Sequence, residues 1–527
     1  MTEMKKNTSK ILLIALLSVC SLTFYGCTDW LNVQPRDRML EPERFSTEDG
    51  INSVLNGIYR DLSHRHSYGQ YLTQTFVEYL ARYYYWRVGN HVFPDFLEWG
   101  RVAEFNYENR GVHGKIQSIW NHAFGTIQRI NIFIENVEAR EGVMSERRRN
   151  VVLGEAYALR AFIHFDMFRL FGPIRMTDAH GGLPYNNTTR VIAHPNLSAA
   201  DFINLVMQDL ETALRLLEDD PIRTRGVNDN FVNISGNILL TPEDIFAEYY
   251  RNRRMNYFAV RALQARVLLH TGEHQRASSA AQATLEAIAE RRTFQWEDNL
   301  SNIINHNNFI FHREVLFGLN NPTLHDSWID LFNGVRPGST HAVVTGTLYG
   351  NLFADFAGMP LAAMNDIRAR QWTPSSIDSG FAGMGVPMPE SYVSIKFRRL
   401  AVTNWQNRPF TLDFQPLMRM SELYFIIAEA ALARGDTDTA IDRINSIMRT
   451  RGFLAEQLIP STASIAEIRI RLEREIYKEF VGEGQAFFYL KRNNINRIFR
   501  GNAVGHETIP DTGAVFVLPL PDSETMI

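Results

Sequence analysis

The chain has 527 residues, of which 45% are hydrophobic and 21% are charged, and this near-average composition excludes a collagen-like, coiled-coil or wholly disordered protein. A formal net charge of −4 gives no positive field for nucleic acid. Two cysteines cannot form a disulfide framework or a four-thiolate zinc site. The length predicts several substructures or one extended solenoid.

The N-terminus carries a targeting segment at residues 1–26. Lysines precede an apolar run that is shorter than the roughly 20 residues of a membrane-spanning helix, which is typical of a secretory signal. The run ends at Gly26 and Cys27, a small residue before a cysteine as in bacterial lipoprotein cleavage sites, although Phe24 and Tyr25 depart from the usual residues. We therefore predict that Cys27 is acylated and anchors the mature chain to a membrane.

Helical periodicity dominates beyond an extended tether at residues 27–45. Apolar residues recur at three- and four-residue spacing, and capping residues precede several of these segments. The predicted helices cover residues 46–62, 114–138, 146–171, 195–217, 417–434, 437–450 and 464–492.

Two segments carry three small residues each, at spacings of seven and five. These are Ala265, Gly272 and Ala277 in the first segment and Ala428, Gly435 and Ala440 in the second. Small side chains allow two antiparallel helices to approach closely, and the glycine closes the turn between them. This pattern favours tetratricopeptide-like helix pairs.

Two regions between the helices are predicted to be loops. Residues 80–113 follow the first helix, and residues 293–415 are crowded with glycine and proline. We interpret the second region as a loop-rich insertion with a few short strands or helices on a helical scaffold. Binding residues concentrate in loops that a rigid scaffold supports.

The common catalytic sequence motifs are missing from the chain. The glycine cluster at 380–385 is interpreted as a turn, since it lacks the strand and helix of a phosphate-binding loop. His64 and His66 fall at a helix end, and the sequence indicates no third metal ligand. Asp219 and Asp220 are interpreted as solvated loop charges. We predict neither catalysis, nor a metal, nor a cofactor.

Aromatic residues in the loop regions are the positive chemical signal, because neutral sugars bind by stacking on aromatic rings. The candidate ligand-binding residues are Tyr84, Trp86, Trp99, Trp296, Trp328 and Trp372. The alternative for each ring is that it fills a core beneath a loop, as we predict for Trp120. Because arginines lie nearby, a peptide remains an alternative ligand. These arginines are Arg82, Arg87 and Arg101.

Several motifs occur in one order along the chain. They lie at residues 27–35, 55–59, 155–172, 420–430, 479–484, 490–492 and 518–521. In this order they resemble the SusD/RagB family of Bacteroidota outer-membrane nutrient-binding lipoproteins. Asn32 replaces the usual acid of the first motif, and Gly482, Ala486 and Tyr489 depart from the family's usual residues near the C-terminus.

The resemblance implies a mainly α fold, an irregular tetratricopeptide-like scaffold that supports a loop-rich ligand face. It also implies surface exposure and a partner, a SusC-like TonB-dependent outer-membrane barrel that the lipoprotein caps. The ligand would be an oligosaccharide or, in some members, a peptide.

The predicted organisation has five parts. They are a signal peptide (1–26), a lipid-anchored tether (27–45), an N-terminal helical part (46–292) with the loop 80–113, a ligand-facing insertion (293–415) and a C-terminal helical part (416–527). The leading hypothesis is a non-catalytic glycan-capturing lipoprotein that delivers its ligand to the barrel. The alternatives are an oligopeptide-binding member of the family, a helical-repeat protein adaptor and a lipid-anchored glycoside hydrolase.

Overall fold

The computed structural model describes residues 41–84, 94–190, 192–227, 250–298, 300–305, 307–332, 344–353, 364–374, 391–398, 413–499 and 506–525. Its internal contacts divide the chain into two compact units, Met1–Ile51 and Asn52–Ile527, and the tertiary contacts presented below lie within the second unit. The predicted signal peptide, Cys27, Trp86 and the 380–385 cluster lie outside the described residues. Within the described ranges, no helix is both long and apolar enough to cross a membrane.

The fold is mainly α-helical, as predicted. In chain order the helices are α1 (Glu41–Arg44), α2 (Glu48–Leu62), α3 (Phe76–Leu80), α4 (Pro94–Ala103), α5 (Arg110–Glu138), α6 (Glu146–Phe171), α7 (Ala199–Leu216), α8 (Ile222–Arg225), α9 (Tyr257–His270), α10 (His274–Arg291), α11 (Leu300–Asn305), α12 (Leu324–Phe332), α13 (Gly346–Leu352), α14 (Met420–Ala433), α15 (Thr437–Thr450), α16 (Ile465–Glu479), α17 (Gln485–Arg492), α18 (Thr512–Phe516) and α19 (Asp522–Thr525). Short 3-10 helices lie at Arg251–Arg253, His312–Glu314, Ile367–Gln371 and Ala455–Gln457.

The strands are short and antiparallel. They are β1 (Leu183–Pro184), β2 (Asn196–Leu197), β3 (Val315–Asn320), β4 (Val344–Thr345), β5 (Trp372–Pro374), β6 (Ser391–Ser394), β7 (Phe414–Arg419), β8 (Arg497–Phe499) and β9 (His506–Thr508). The pairs are β1–β2, β3–β7 and β8–β9, and β6 lies between β4 and β5. Strand β3 leads out of the N-terminal helices and β7 leads back into α14, so this pair forms the base of the insertion.

The scaffold is a succession of helices in which each packs on the next. The order is α5, α6, α7, α9, α10, α14, α15 and α16. Helix α6 is central to its first part, and its residues from Val151 to Phe171 are almost all buried. A helix that is buried on every side needs apolar residues all round, or polar residues that are paired. In α6 the buried polar side chains include Glu155, Arg160 and Asp166, and each of them is hydrogen-bonded.

The repeated small-residue spacing produces the same turn twice, which confirms the prediction. Gly272 has φ +81° between α9 and α10, and Gly435 has φ +78° between α14 and α15. The N–H of Gly272 donates to Leu269 O and that of Gly435 to Leu432 O, at equivalent places. The four alanines of the pattern are fully buried at the helix contacts. Helix α10 also packs on α14, so the two pairs are neighbours in the scaffold.

Two of the predicted helices differ from the structure. The segment 417–434 begins in strand β7, and its helix starts only at Met420. The segment 464–492 contains two helices, because the chain between α16 and α17 turns through Gly482 (φ +72°) and Gly484 (φ +73°). A Cβ on Gly484 would lie 2.2 Å from Leu72 O, so this turn needs glycine for space as well as for conformation.

Two further sequence interpretations are corrected. The region 80–113, expected to be a loop, contains α4 and the first turn of α5. Asp220 is 1% exposed, whereas we expected it to be solvated. Its carboxylate accepts hydrogen bonds from Arg251 Nε at 2.8 Å and Arg251 Nη2 at 2.9 Å. It also accepts from the Tyr257 N–H at the start of α9. This pairing over a long sequence separation leaves no trace in local periodicity.

Candidate ligand site

Three of the predicted ligand residues, Tyr84, Trp99 and Trp328, belong to one chain of contacting aromatic rings. We call this chain the ring cluster, and its members in order of contact are Trp99, Tyr79, Tyr84, Phe332 and Trp328. The ring centroids of Trp99 and Tyr79 lie 5.3 Å apart in a stacked arrangement, and those of Tyr79 and Tyr84 lie 5.2 Å apart. Tyr84 meets Phe332 edge-on at 5.5 Å, and Phe332 lies 4.1 Å from Trp328. The ring cluster therefore joins the 80–113 region to the insertion.

Every member of the ring cluster is buried, and Trp99 is its most accessible member at 7%. Trp328 Nε1 donates to Ser394 O at 2.8 Å, which fixes the indole against strand β6. The Tyr79 and Tyr84 hydroxyls are buried without a hydrogen-bond partner among the described residues. Burial raises the pKa of both phenols, so they remain protonated donors. In this structure the rings fill space beneath loops, and ligand contact by Tyr84, Trp99 or Trp328 stays a prediction.

Trp372 is also buried. It opens β5 and lies opposite Ser394 of β6, the residue whose carbonyl accepts the Trp328 indole. Its own Nε1 is buried without a partner in the described parts of the chain. Trp372 thus lies beside the ring cluster rather than on a surface, and its contact with ligand likewise stays a prediction.

Trp296 differs from the others because it is only partly buried. It pairs with half-buried Tyr424 of α14, with ring centroids 5.1 Å apart and planes inclined by 57°. The Cζ atom of Arg451 lies 5.5 Å from the Trp296 centroid, and Arg443 Cζ lies 5.8 Å from the Tyr424 centroid. Trp296 and Tyr424, which we call the Trp296 platform, form a partly exposed aromatic surface with Arg443 beside it, whereas Arg451 is buried in ion pairs. Such a surface suits the C–H face of a sugar or a charged ligand group.

The backbone on both sides of Trp296 is fixed. The Gln295 N–H donates to Arg313 O at 3.2 Å, and the Glu297 N–H donates to Glu314 Oε1 at 3.0 Å. The Glu297 carboxylate in turn accepts from Asn308 Nδ2 at 2.9 Å. A ring held this way needs little further ordering when a ligand stacks on it.

The sequence indicated Trp296 but missed its partners. Tyr424 lies within the 420–430 motif, which supports the family resemblance but does not by itself indicate a ligand contact. The signal that could have found it is its position on the partly exposed face of α14, two residues from buried Ile426. Arg443 lies on α15 and had no local signal.

Beneath the insertion lies a network of buried ionised side chains, which we call the buried charge network. Its acidic members are Glu314, Asp366, Glu475, Glu479 and Glu483, and its basic members are Arg368, Lys396, Arg419, Arg451 and Lys478. Their side chains are at most 2% exposed. Acidic and basic groups balance, as buried charges require. The network links the insertion to the C-terminal helices.

Glu479 is the centre of the buried charge network. Its carboxylate accepts from Arg451 Nη2 at 2.6 Å, Arg419 Nη1 at 2.6 Å and Arg368 Nη1 at 3.1 Å. Burial alone would raise the pKa of Glu479, but Arg451 and Arg419 outweigh it and hold that pKa well below its usual range. Glu479 and Glu483, noted in the sequence as motif residues, are therefore structural supports of the insertion.

Three arginines support the alternative of a peptide ligand, and the first of them, Arg82, has a structural role. It is 6% exposed, and its guanidinium donates to Ala103 O at 3.0 Å, to Phe499 O at 3.3 Å and to Glu507. Arg101 pairs with Glu104 at 2.9 Å on the surface of α4. Arg87 lies outside the described residues.

His64 and His66 acquire a third histidine neighbour in the structure. The His64 imidazole stacks on His122 of α5 with centroids 4.6 Å apart, and His66 lies 4.9 Å from His64. Burial and the neighbouring His64 lower the pKa of His66. Across the described residues, no group of three or more His, Cys, Asp or Glu side chains is arranged to hold a metal ion. The imidazoles form a stack rather than a ligand set.

Two family models match this chain, one in its N-terminal half and one near its C-terminus. A model described as "SusD family" matches residues 380–514, and one described as "Starch-binding associating with outer membrane" matches residues 29–226. The chain belongs to the SusD/RagB family. A SusD-like protein P2 of Formosa agariphila is 24% identical over 98% of this chain and 96% of its own length.

Solved structures share the SusD/RagB fold over nearly the whole molecule. A SusD superfamily protein from Bacteroides thetaiotaomicron aligns with a TM-score of 0.66 and 22% identity over 91% of this chain and 98% of its own. The surface glycan-binding protein A of the same species aligns with a TM-score of 0.62 and 16% identity over 92% and 97% of the two chains. The irregular tetratricopeptide-like scaffold is thereby confirmed.

Proposed function

We propose that this SusD/RagB protein is a non-catalytic surface lipoprotein that captures oligosaccharides and delivers them to a TonB-dependent outer-membrane barrel. The Trp296 platform is the observation that carries the proposal, because it is a partly exposed aromatic pair on a fixed backbone beside polar side chains. Family relatives named for starch binding and surface glycan binding support the ligand class. The family model's association with the outer membrane supports the location.

The platform suits capture followed by transfer. An aromatic stack contributes about 1 kcal/mol, whereas a millimolar dissociation constant corresponds to about 4 kcal/mol. Trp296 and Tyr424 thus supply about half of such an affinity, and polar contacts supply the rest. Weak binding is adequate because the ligand must leave again for the transporter. The lipid anchor at Cys27 holds the captured ligand near that transporter.

Arg443 is compatible with an oligopeptide, the second candidate ligand. Its Nε is buried without a hydrogen-bond partner among the described residues and lies 3.7 Å from Asp442 Oδ2. A cation at the rim of the platform would pair with a peptide carboxylate as readily as it would with an acidic sugar. The ligand class therefore has to be decided by titration.

The test is titration of the purified mature protein against glycan and peptide libraries, with Trp296→Ala and Tyr424→Ala as variants. Glycan binding should weaken by about tenfold in Trp296→Ala, as expected for the loss of one stacking surface. Tyr257→Ala is the matched control, because Tyr257 is half-buried on α9 and also has an arginine Cζ (Arg261) 5.8 Å from its ring centroid. This control should bind normally.

Other results would replace the proposal. Peptide binding without glycan binding would favour the oligopeptide alternative, and binding of neither library would favour a protein adaptor. Glycan cleavage would show a glycoside hydrolase instead. Delivery is tested separately, because the lipoprotein should co-purify from outer membranes with a TonB-dependent barrel.

A further inference from the structure

A separate cleft lies between α2 and α6, away from the residues of the Trp296 platform. Its polar lining consists of Asn52 and Asn56 from α2, Arg148 and Glu155 from α6, and Arg254 beyond the 3-10 helix. The cleft is partly open to solvent, and its cavity volume of about 20 Å³ is room for about one water molecule. Neither the family resemblance nor the proposed glycan site uses this cleft.

Arg254 lines the cleft and has one nitrogen without a hydrogen-bond partner among the described residues. Its side chain is about nine-tenths buried, and its Cζ lies 4.4 Å from the ring centroid of Tyr59, which fixes the guanidinium plane. Nη2 donates to Asn56 Oδ1. Nη1, in contrast, is buried without a hydrogen-bond acceptor among the described residues.

Glu155 is the nearest carboxylate, but it is committed elsewhere. Its Oε2 accepts from the Tyr59 hydroxyl at 2.8 Å and lies 3.9 Å from Arg254 Nη1, beyond hydrogen-bond distance. Its Oε1 accepts from Arg251, which also binds Asp220 through two nitrogens. Glu155 therefore offsets charge without satisfying the N–H groups of Nη1.

The rest of the lining offers donors and a short apolar wall. Because Asn56 Oδ1 accepts from Arg254, the amide nitrogen of Asn56 remains a donor. Asn52 adds a second amide, and Leu55 and Val151 line the apolar side. A site with a fixed guanidinium, amide donors and little space is complementary to a small oxyanion that carries a short apolar or sugar group.

We propose that this cleft binds the carboxylate group of a small ligand, with Arg254 Nη1 as its main donor and the amides of Asn52 and Asn56 as further donors. The carboxylate can come from a free short-chain acid or from a uronic acid. The assignment does not depend on glycan capture at the Trp296 platform, since it uses none of the same residues.

The test is calorimetric titration of the purified mature protein at neutral pH with sodium acetate and with sodium glucuronate, using glucose and sodium chloride as references. Saturable binding of acetate indicates a site for free short-chain acids, whereas binding of glucuronate alone indicates a uronic acid. Arg254→Gln should weaken this binding by about tenfold, as expected for the loss of one charge-assisted hydrogen bond. Arg253→Gln is the matched control, because Arg253 is as buried as Arg254 but binds Asn320 instead. It should retain the affinity.

Arg254 also packs on Tyr59, so a second variant separates binding from folding. Asn52→Leu removes one amide and narrows the cleft, and it leaves the contacts of Arg254 with Tyr59 and Asn56 in place. It should also weaken carboxylate binding. The proposal is overturned if neither probe binds saturably, as expected of a cleft that holds only water. It is also overturned if both Arg254→Gln and Asn52→Leu bind like the unaltered protein.

Discussion

Lys396 Nζ lies 2.5 Å from Glu483 Oε1, and both side chains are buried. Lys396 belongs to the insertion, whereas Glu483 lies in the turn between α16 and α17. The lysine also donates to Val481 O at 3.0 Å, and the second oxygen of Glu483 accepts from Arg419 Nε at 2.8 Å. One ion pair therefore fastens the loop-rich insertion to the C-terminal helices.

Replacement of this lysine should destabilise the fold. Lys396→Met keeps most of the side-chain volume but leaves Glu483 with one cation in place of two. The loss of one partner from a buried ion pair typically costs about 3 kcal/mol, because the remaining charge is left incompletely compensated. Chemical denaturation should show this loss, and hydrogen exchange should show that strand β6 is the first part to lose protection.

Lys115 provides a matched control for that prediction. Its Nζ also lies 2.5 Å from a glutamate oxygen, Glu98 Oε2, but the Glu98 side chain is 57% exposed. Lys115→Met should therefore cost less than about 1 kcal/mol. Equal losses in the two variants would mean that burial of the Lys396 pair has no special role.

Replacement of glycine by alanine should lower the stability of the protein at the two helix turns and raise it inside a helix. Gly272→Ala and Gly435→Ala place a side chain at positive φ, which should destabilise the protein by about 1 kcal/mol each. An added Cβ meets no atom within 4 Å at either position, so the cost comes from backbone conformation alone. Gly125→Ala, inside α5 and equally free of neighbours, should instead stabilise by about 0.5–1 kcal/mol. Denaturation midpoints that move in the same direction for all three variants would contradict this explanation.

Local patterns in the sequence were sufficient for much of the scaffold. The predicted helix at 146–171 coincides with α6, because Ser145 caps it and its apolar residues follow helical periodicity. The turn at Gly272 was predictable because closing it requires a glycine at a fixed distance from the small residues of the two helices that it joins. The strand β7 was missed because its buried run, Phe414–Arg419, has no alternation and continues directly into a helix.

The site was only partly accessible to the same reasoning. Aromatic residues in loop regions pointed to Trp296 and to the ring cluster, but exposure depends on how distant segments pack. Tyr84 is covered by Phe332, for example, and no local pattern predicts that contact. The buried charge network was missed for the same reason, since the partners of Glu479 come from several distant segments.

The lipid anchor gives a prediction about location. Cys27→Ser removes the thiol that acylation requires, so the variant should no longer partition with membranes. Metabolic labelling with radioactive palmitate and detergent fractionation should show label and membrane retention in the unaltered protein only. Cys20→Ser is the control, because Cys20 lies within the predicted signal and should be dispensable. Membrane retention of Cys27→Ser would refute the anchor.

Glu473 should make stability depend on pH. Burial raises the pKa of this α16 carboxyl from the usual 4.5 to about 7, and Arg497 and Arg474 oppose the shift only partly. The folded state therefore favours the protonated form. Its contribution to stability is fully present below the unfolded value of about 4.5 and is lost as the pH rises through about 7, by at most about 3 kcal/mol.

Glu473→Gln mimics the protonated form and should remove that loss. The variant should match the unaltered protein at pH 4.5 and exceed its free energy of unfolding at pH 8, as measured by urea denaturation across this range. Glu456→Gln is the control, because Glu456 is exposed and its replacement should leave the pH profile unchanged. If the Glu473→Gln and unaltered profiles run parallel, Glu473 titrates alike in the folded and unfolded chains, and burial does not hold its proton.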